Sequence, residues 1–85
     1  MDVDQLRSFD RIIRDGSFTK AAARLNVTQA TISARIRTLE DQVGGPLLTR
    51  AQRNHPMTTT ALGDRVLRAW GRWSRAAEPA DTSVW

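Results

Sequence analysis

The sequence predicts a mainly α fold, with three short helices, a two-stranded ribbon and a longer fourth helix. Three observations carry that expectation. Apolar residues recur at helical spacing in four separate stretches, each opening on a residue that caps helices, and the first and third close on glycine. Between the third and fourth lie two short segments of strand propensity around a polar loop. The chain has 85 residues and no cysteine, which bounds it to one small domain and excludes disulfides and thiolate metal sites. Without such staples, stability must come from helix packing, self-association, or both.

Asp2 and Gln5 form a capping-box pair, with Asp in place of Ser or Thr, at the start of the first helix. Leu6, Phe9, Ile13 and the flanking Ile12 follow on one face, while Arg7, Arg11 and Arg14 point elsewhere. Asp15-Gly16 ends this helix, glycine supplying positive φ. Ser17 caps a second helix through Ala21, Ala22 and Leu25, and Asn26, which tolerates left-handed backbone, turns the chain. Thr28 then caps a third helix, about 28–43, in which Ile32, Ile36, Leu39 and Val43 step by four, three and four. That is a core stripe. Ala22 is small where the second and third helices must approach, and Ile32 is placed to pack back on the helix before it. This is the shape of a helix-turn-helix, whose second helix enters the major groove of DNA.

Gly44-Gly45-Pro46 stops the third helix. Leu47 to Arg50 and Met57 to Thr59 are the expected strands, and residues 51–56 between them are the expected wing. Thr59 or Thr60 caps the fourth helix, which runs to about Ala77 before Pro79. The expected organisation is therefore a winged helix-turn-helix over 1–59, a linker or dimerisation helix over 60–78, and a tail over 79–85.

Charge favours an anionic partner. The net value is +4, and it is unevenly placed. Residues 1–34 carry five basic against four acidic side chains, whereas residues 35–75 carry eight arginines against Glu40, Asp41 and Asp64. Nucleic acid is the commonest partner of such a distribution, although arginine usage can also reflect genome composition. With the stripe facing inward, Ala30, Ser33, Ala34 and Arg37 face outward, and Gln29 and Thr31 project at the N-terminal end. A merely solvated face would more often carry Glu and Lys pairs. Small residues let a helix approach base edges, and Gln and Arg can read them. Ser17, Thr28 and Thr31 suit phosphate contacts near helix N-termini. Arg35 lies nearer the stripe, which suits a phosphate or an intramolecular salt bridge better than base reading.

Arg53 at the wing tip suits a narrow minor groove. Arg50 suits either a phosphate or a bridge to Glu40 or Asp41, and His55 is a lone loop histidine without partner ligands. On the fourth helix, Leu62, Val66, Trp70 and Trp73 form a stripe that must pack on the domain, on a second copy, or on a membrane surface. Self-association is the expectation adopted, because the stripe is too narrow for a membrane-binding face.

Four segments together resemble a known family: Asp2-x-x-Gln5-Leu6-Arg7-Ser8-Phe9; Gly16-Ser17-Phe18-Thr19-x-Ala21-Ala22-x-x-Leu25-x-Val27-Thr28-Gln29; Ser33-x-x-Ile36-Arg37-x-Leu39-Glu40; and Gly44-x-Pro46-Leu47-Leu48-x-Arg50. They resemble the N-terminal DNA-binding domain of LysR-type transcriptional regulators over about residues 2–70. The resemblance implies a winged helix-turn-helix, a linker helix that pairs two domains, and interrupted palindromic targets of T–A character in bacteria. Gln29 and Ser33 match groove-reading positions of that family, and Arg53 fits its wing arginine. Ala30 stands where proline is common, Ala34 where arginine is usual, and Arg35 where glutamine is usual. The family's Leu-Thr-x-Ala-Gly pattern fits either Met57-Thr58 directly or Gly63 after a two-residue insertion. Family members also carry a longer C-terminal effector-binding domain, so an excised domain or a stand-alone binder are both compatible with this length.

The expected function is sequence-specific binding of double-stranded DNA by a dimeric bacterial regulator, with no cofactor and no metal. A cytoplasmic, nucleoid-associated location is expected, since no apolar run approaches a membrane span. The competing expectation is a dimerisation module that sequesters a related regulator and binds DNA weakly. An enzyme is not expected, because one loop histidine and scattered carboxylates supply no catalytic constellation.

Overall fold

The computed structural model describes residues 2–49 and 57–77. The elements are α1 (Val3–Asp15), α2 (Phe18–Leu25), α3 (Gln29–Val43), β1 (Leu48–Thr49), β2 (Thr58–Thr59) and α4 (Ala61–Ala77).

Short-range chemistry fixes the first three helices at both ends. Asp2 Oδ1 accepts the Gln5 N–H at 2.9 Å, and Gln5 Oε1 accepts the Asp2 N–H at 3.2 Å, completing the capping box of α1. Ser17 Oγ accepts the Lys20 N–H, and Thr28 Oγ1 accepts the Thr31 N–H, so α2 and α3 are capped as the sequence predicts. Each such cap contributes about 1 kcal/mol. At the other ends Gly16, Asn26 and Gly44 adopt left-handed backbone, with φ of 71°, 59° and 90°. Their N–H groups close the last turns onto Ile12, Ala22 and Ala23, and Glu40.

The core forms where three faces meet. Ile32, Ile36 and Leu39 of α3 are fully buried with Phe9 and Ile12 of α1, Ala21 of α2, and Leu47. Ala22 and Leu48 complete this cluster, and Val43, the last step of the stripe, packs on its edge. The two buried alanines of α2, Ala21 and Ala22, leave room for α3 to lie close against it.

Among the described residues the ribbon is shorter than expected. β1 and β2 pair antiparallel with Leu48 opposite Thr59 and Thr49 opposite Thr58, so Leu47 and Met57 fall outside the ladder. Leu47 falls opposite Thr60 in the same register. Its N–H donates to the Glu40 carboxylate at 2.9 Å, and its carbonyl accepts the Thr60 N–H at 3.1 Å. Met57 packs on the core as a half-buried side chain. The expected wing at 51–56, with Arg53 and His55, and the strand-end Arg50 lie outside the described residues.

Thr60, rather than Thr59, caps α4. Its Oγ1 accepts the Gly63 N–H at 3.0 Å and donates to the Pro46 carbonyl at 2.7 Å. Thr59 instead donates to Asp64. The capping hydroxyl and the glycine whose N–H it accepts are therefore Thr60 and Gly63. Gly63 is buried and cannot carry a side chain, because a Cβ there would overlap the Leu47 carbonyl oxygen and lie 3.1 Å from Phe9 Cζ. α4 thus begins against the backbone of the segment that leads into β1.

Gly63→Ala is expected to destabilise the domain by about 2–3 kcal/mol, the scale of overpacking against an unyielding backbone. In a domain of this size that lowers Tm by about 10 °C or more. Gly45→Ala, whose Cβ would meet only the tip of Leu62 at 3.3 Å, should shift Tm far less. Equal Tm values for the two variants in circular-dichroism melts would contradict the close approach at Gly63.

Candidate nucleic-acid interface

Burial of one face of α3 dictates what the other presents. With Ile32, Ile36 and Leu39 inward, the 3.6-residue period turns Gln29, Ala30, Ala34 and Arg37 outward, where all four are exposed. Ser33 lies on the same side, half-buried. The structure therefore brings together the five α3 residues expected to meet base edges. This surface has two small side chains, a hydroxyl, an amide and a guanidinium. It is low enough for close approach, and its polar groups can donate to groove acceptors.

The N-terminal end of α3 adds donors. The first intrahelical bond runs from the Ile32 N–H to the Thr28 carbonyl, so the Gln29 and Ala30 N–H groups have no acceptor within the helix. The Thr28 and Thr31 hydroxyls share one hydrogen bond at 2.9 Å, which uses one of their two protons and leaves the other to donate. Ser17 Oγ accepts the Lys20 N–H and keeps its own proton. These groups can hold anions at the entrances of α3 and α2.

Arg35 is engaged elsewhere. It donates from Nη1 to Ser8 Oγ at 3.2 Å, and the fully buried Ser8 donates in turn to the Asp4 carbonyl. The cleft around it is lined by Asp2, the cap of α1, by Asp4 and Gln5 of α1, and by Thr31, Ala34 and Thr38 of α3. The bond is intramolecular, as one of the two expectations held, but its partner is a hydroxyl rather than a carboxylate.

The ion pairs sort the charges. Asp15, with a side chain 7% exposed, lies between Arg11 at 3.1 Å and Arg24 at 3.2 Å, and Asp10 pairs with Arg14 at 3.1 Å. The charges of α1 and α2 are thus largely met within those two helices. Among the described residues Arg37 enters no ion pair, so its charge stays on the outward face of α3.

Two polar contacts had no signal in the sequence. The sequence offered Glu40 a partner in Arg50, yet its carboxylate binds the Leu47 N–H and ties α3 to the approach of β1. Thr19 Oγ1 donates to Gln29 Oε1 at 3.2 Å across the helix-turn-helix. Residues ten apart share no local pattern, and only the turn at Asn26 brings them together.

On α4 the expected dimerisation stripe divides. Leu62 and Val66, with Leu67, pack on the domain's own core. Trp70 is half-buried and Trp73 is 51% exposed, their rings stacked with centroids 5.4 Å apart. Beside them an apolar groove of about 630 Å³ runs between α4 and the start of α1, lined by Val3, Leu6, Val66, Ala69, Trp70 and Trp73. Among the described residues no cluster of His, Cys, Asp or Glu could hold a metal, and no helix is long and apolar enough to cross a membrane.

A tri-helical core that turns the small polar face of its third helix outward, followed by an antiparallel ribbon and a long helix, defines a winged helix-turn-helix DNA-binding domain. Residues 3–64 match the family model for bacterial regulatory helix-turn-helix proteins of the lysR family. The chain belongs to that family and has the fold of its DNA-binding domains. It is 46% identical over 66 residues to the HTH-type transcriptional regulator AbaB of Streptomyces antibioticus, covering 78% of this chain and 21% of AbaB. It is 40% identical over 67 residues to the regulator ArgP of Aeromonas salmonicida, covering 79% of this chain and 21% of ArgP. The chain therefore spans about one fifth of the length of these curated relatives, which are regulators of transcription rather than enzymes.

Among solved structures it is similar to the BenM DNA-binding domain in complex with catB site 1 DNA. The TM-score is 0.80 at 32% identity, over 98% of this chain and 92% of that one. ArgP from Mycobacterium tuberculosis is similar with a TM-score of 0.82 at 34% identity, over 98% of this chain and 30% of that one.

Arg35→Ala and Ser8→Ala are each expected to cost about 1 kcal/mol of stability, the net worth of one such bond. In urea titrations the double variant should lose less than the sum of the two. Strict additivity would mean that the two side chains do not interact.

Proposed function

We propose that this domain reads double-stranded DNA as a homodimer, with α3 in the major groove and the wing over the adjacent minor groove. Gln29, Ser33 and Arg37 contact base edges, and Ala30 and Ala34 let the helix approach them. Thr28 and Thr31 hold phosphates at the entrance of α3, Ser17 holds one at the entrance of α2, Arg50 holds another, and Arg53 enters the minor groove. Arg35 is kept in register on Ser8 and steadies α3 against α1. The observation that carries this reading is the outward face of α3, which is exposed, low and uncompensated in charge. Its support is the likeness to BenM domains bound to named DNA sites.

The dimer rests on α4. Trp73 and the groove beside it expose apolar surface that a second copy would cover, and a two-fold pair of such domains matches an interrupted palindrome. Regulation of transcription follows from occupancy of such a site, and places the protein at the nucleoid.

Selection of bound duplexes from a random library tests specificity, spacing and symmetry at once. The expected product is an inverted repeat, and Gln29→Ala should flatten base preference at one position of each half-site. Arg53→Ala should weaken binding, and a cation that touches only phosphate should lower the log-log salt slope by about one when removed. Uniform loss of affinity on all sequences after Gln29→Ala would argue against direct readout. A chain that dimerises yet forms no salt-resistant complex with any duplex would be a sequestering module instead.

Sedimentation tests the pairing. Trp70→Ala and Trp73→Ala should shift the domain toward monomer. Wild-type protein that stays monomeric at micromolar concentration would overturn it.

A further inference from the structure

We infer that Thr19, on the helix before α3, is a specificity-determining residue that acts by positioning the Gln29 amide. The inference rests on the proposed role of Gln29 at a base edge. Gln29 is the first residue of α3, and its side chain is exposed with three rotatable bonds. Left alone it would sample many rotamers and present either its carbonyl or its amide nitrogen to the groove. Thr19 restricts that freedom. Its Oγ1 donates to Gln29 Oε1 at 3.2 Å, which occupies one lone pair of the carbonyl and leaves both Nε2 protons unspent.

The donor is itself well placed. Thr19 is β-branched and stiff about χ1, and lies in the first turn of α2, whose start is fixed by the Ser17 cap. The turn at Asn26, with φ 59°, then sets the beginning of α2 beside the beginning of α3. A side chain held in this way binds with less loss of rotamer freedom. The amide held by Thr19 offers Nε2 as donor, with the second lone pair of Oε1 available as acceptor. Purine N7 is the acceptor class that this Nε2 fits, and adenine adds an N6 donor for the remaining lone pair.

The test uses the 85-residue chain and a duplex selected by the wild type, with all four base pairs placed in turn at the position that Gln29→Ala flattens. Thr19→Val and Thr19→Ala should each lower discrimination at that position by about fivefold, the scale of one neutral hydrogen bond. Discrimination at the other positions should stay unchanged. Thr19→Ser keeps the hydroxyl and should retain most of the preference. In a Gln29→Ala background Thr19→Val should have no further effect on base preference. Both side chains are exposed, so melting temperatures should stay near the wild type, which separates positioning from folding.

Full discrimination in Thr19→Val and Thr19→Ala would overturn the inference and leave the Gln29 contact standing. The same loss from Thr19→Val with and without Gln29 would also overturn it, since the effect would not pass through the amide. A wild type whose preference is untouched by Gln29→Ala would overturn both the contact and the positioning.

Discussion

Everything in this domain is referred to the packing of Ile32, Ile36 and Leu39 of α3 against Phe9 and Ile12 of α1. Three apolar side chains on one helix face have a single way to leave water together, and that choice fixes the rotation of α3 about its own axis. Once the rotation is fixed, the outward residues are no longer free to vary in direction. The reading surface is the geometric complement of the core stripe. A substitution that unseats the stripe would turn the whole outward face, even though it touches none of it.

Around that stripe the architecture uses two kinds of fastening. Caps and left-handed termini at Ser17, Thr28, Gly16, Asn26 and Gly44 set where the first three helices begin and end. Polar contacts over longer separations then fix how elements lie on one another. Glu40 and Thr60 both bind Leu47, so α3, the approach to β1 and α4 are joined through one residue's backbone. Gly63 allows α4 to sit directly on that backbone. The result is a short helix bundle whose appendages are anchored at a common point.

The local fastenings were legible in the sequence, because capping residues and apolar periods act within one turn of the chain. The core stripe and the outward set from Gln29 to Arg37 were legible for the same reason. What escaped was set by contacts across the fold. Among the described residues the ladder has two pairs; the Thr60 N–H to Leu47 carbonyl bond continues its register, while the Leu47 N–H turns away to Glu40. The Ser8 hydroxyl could not be foreseen as the partner of Arg35, and neither Thr19 nor the split of the α4 stripe had any periodic signal. Leu62 and Val66 look like the tryptophans in a helical pattern, and only the position of α1 and β2 decides which of them the domain covers itself.

The stacked indoles of α4 give the domain an optical property of its own. The chain has three tryptophans and no tyrosine, so its near-ultraviolet absorption is almost entirely indole. Trp70 and Trp73 lie within 5.4 Å of each other, close enough for exciton coupling to sign their circular dichroism, and neither is on α3. Two of the three indoles therefore report on the surroundings of the fourth helix, in a spectral window where the reading helix itself is silent.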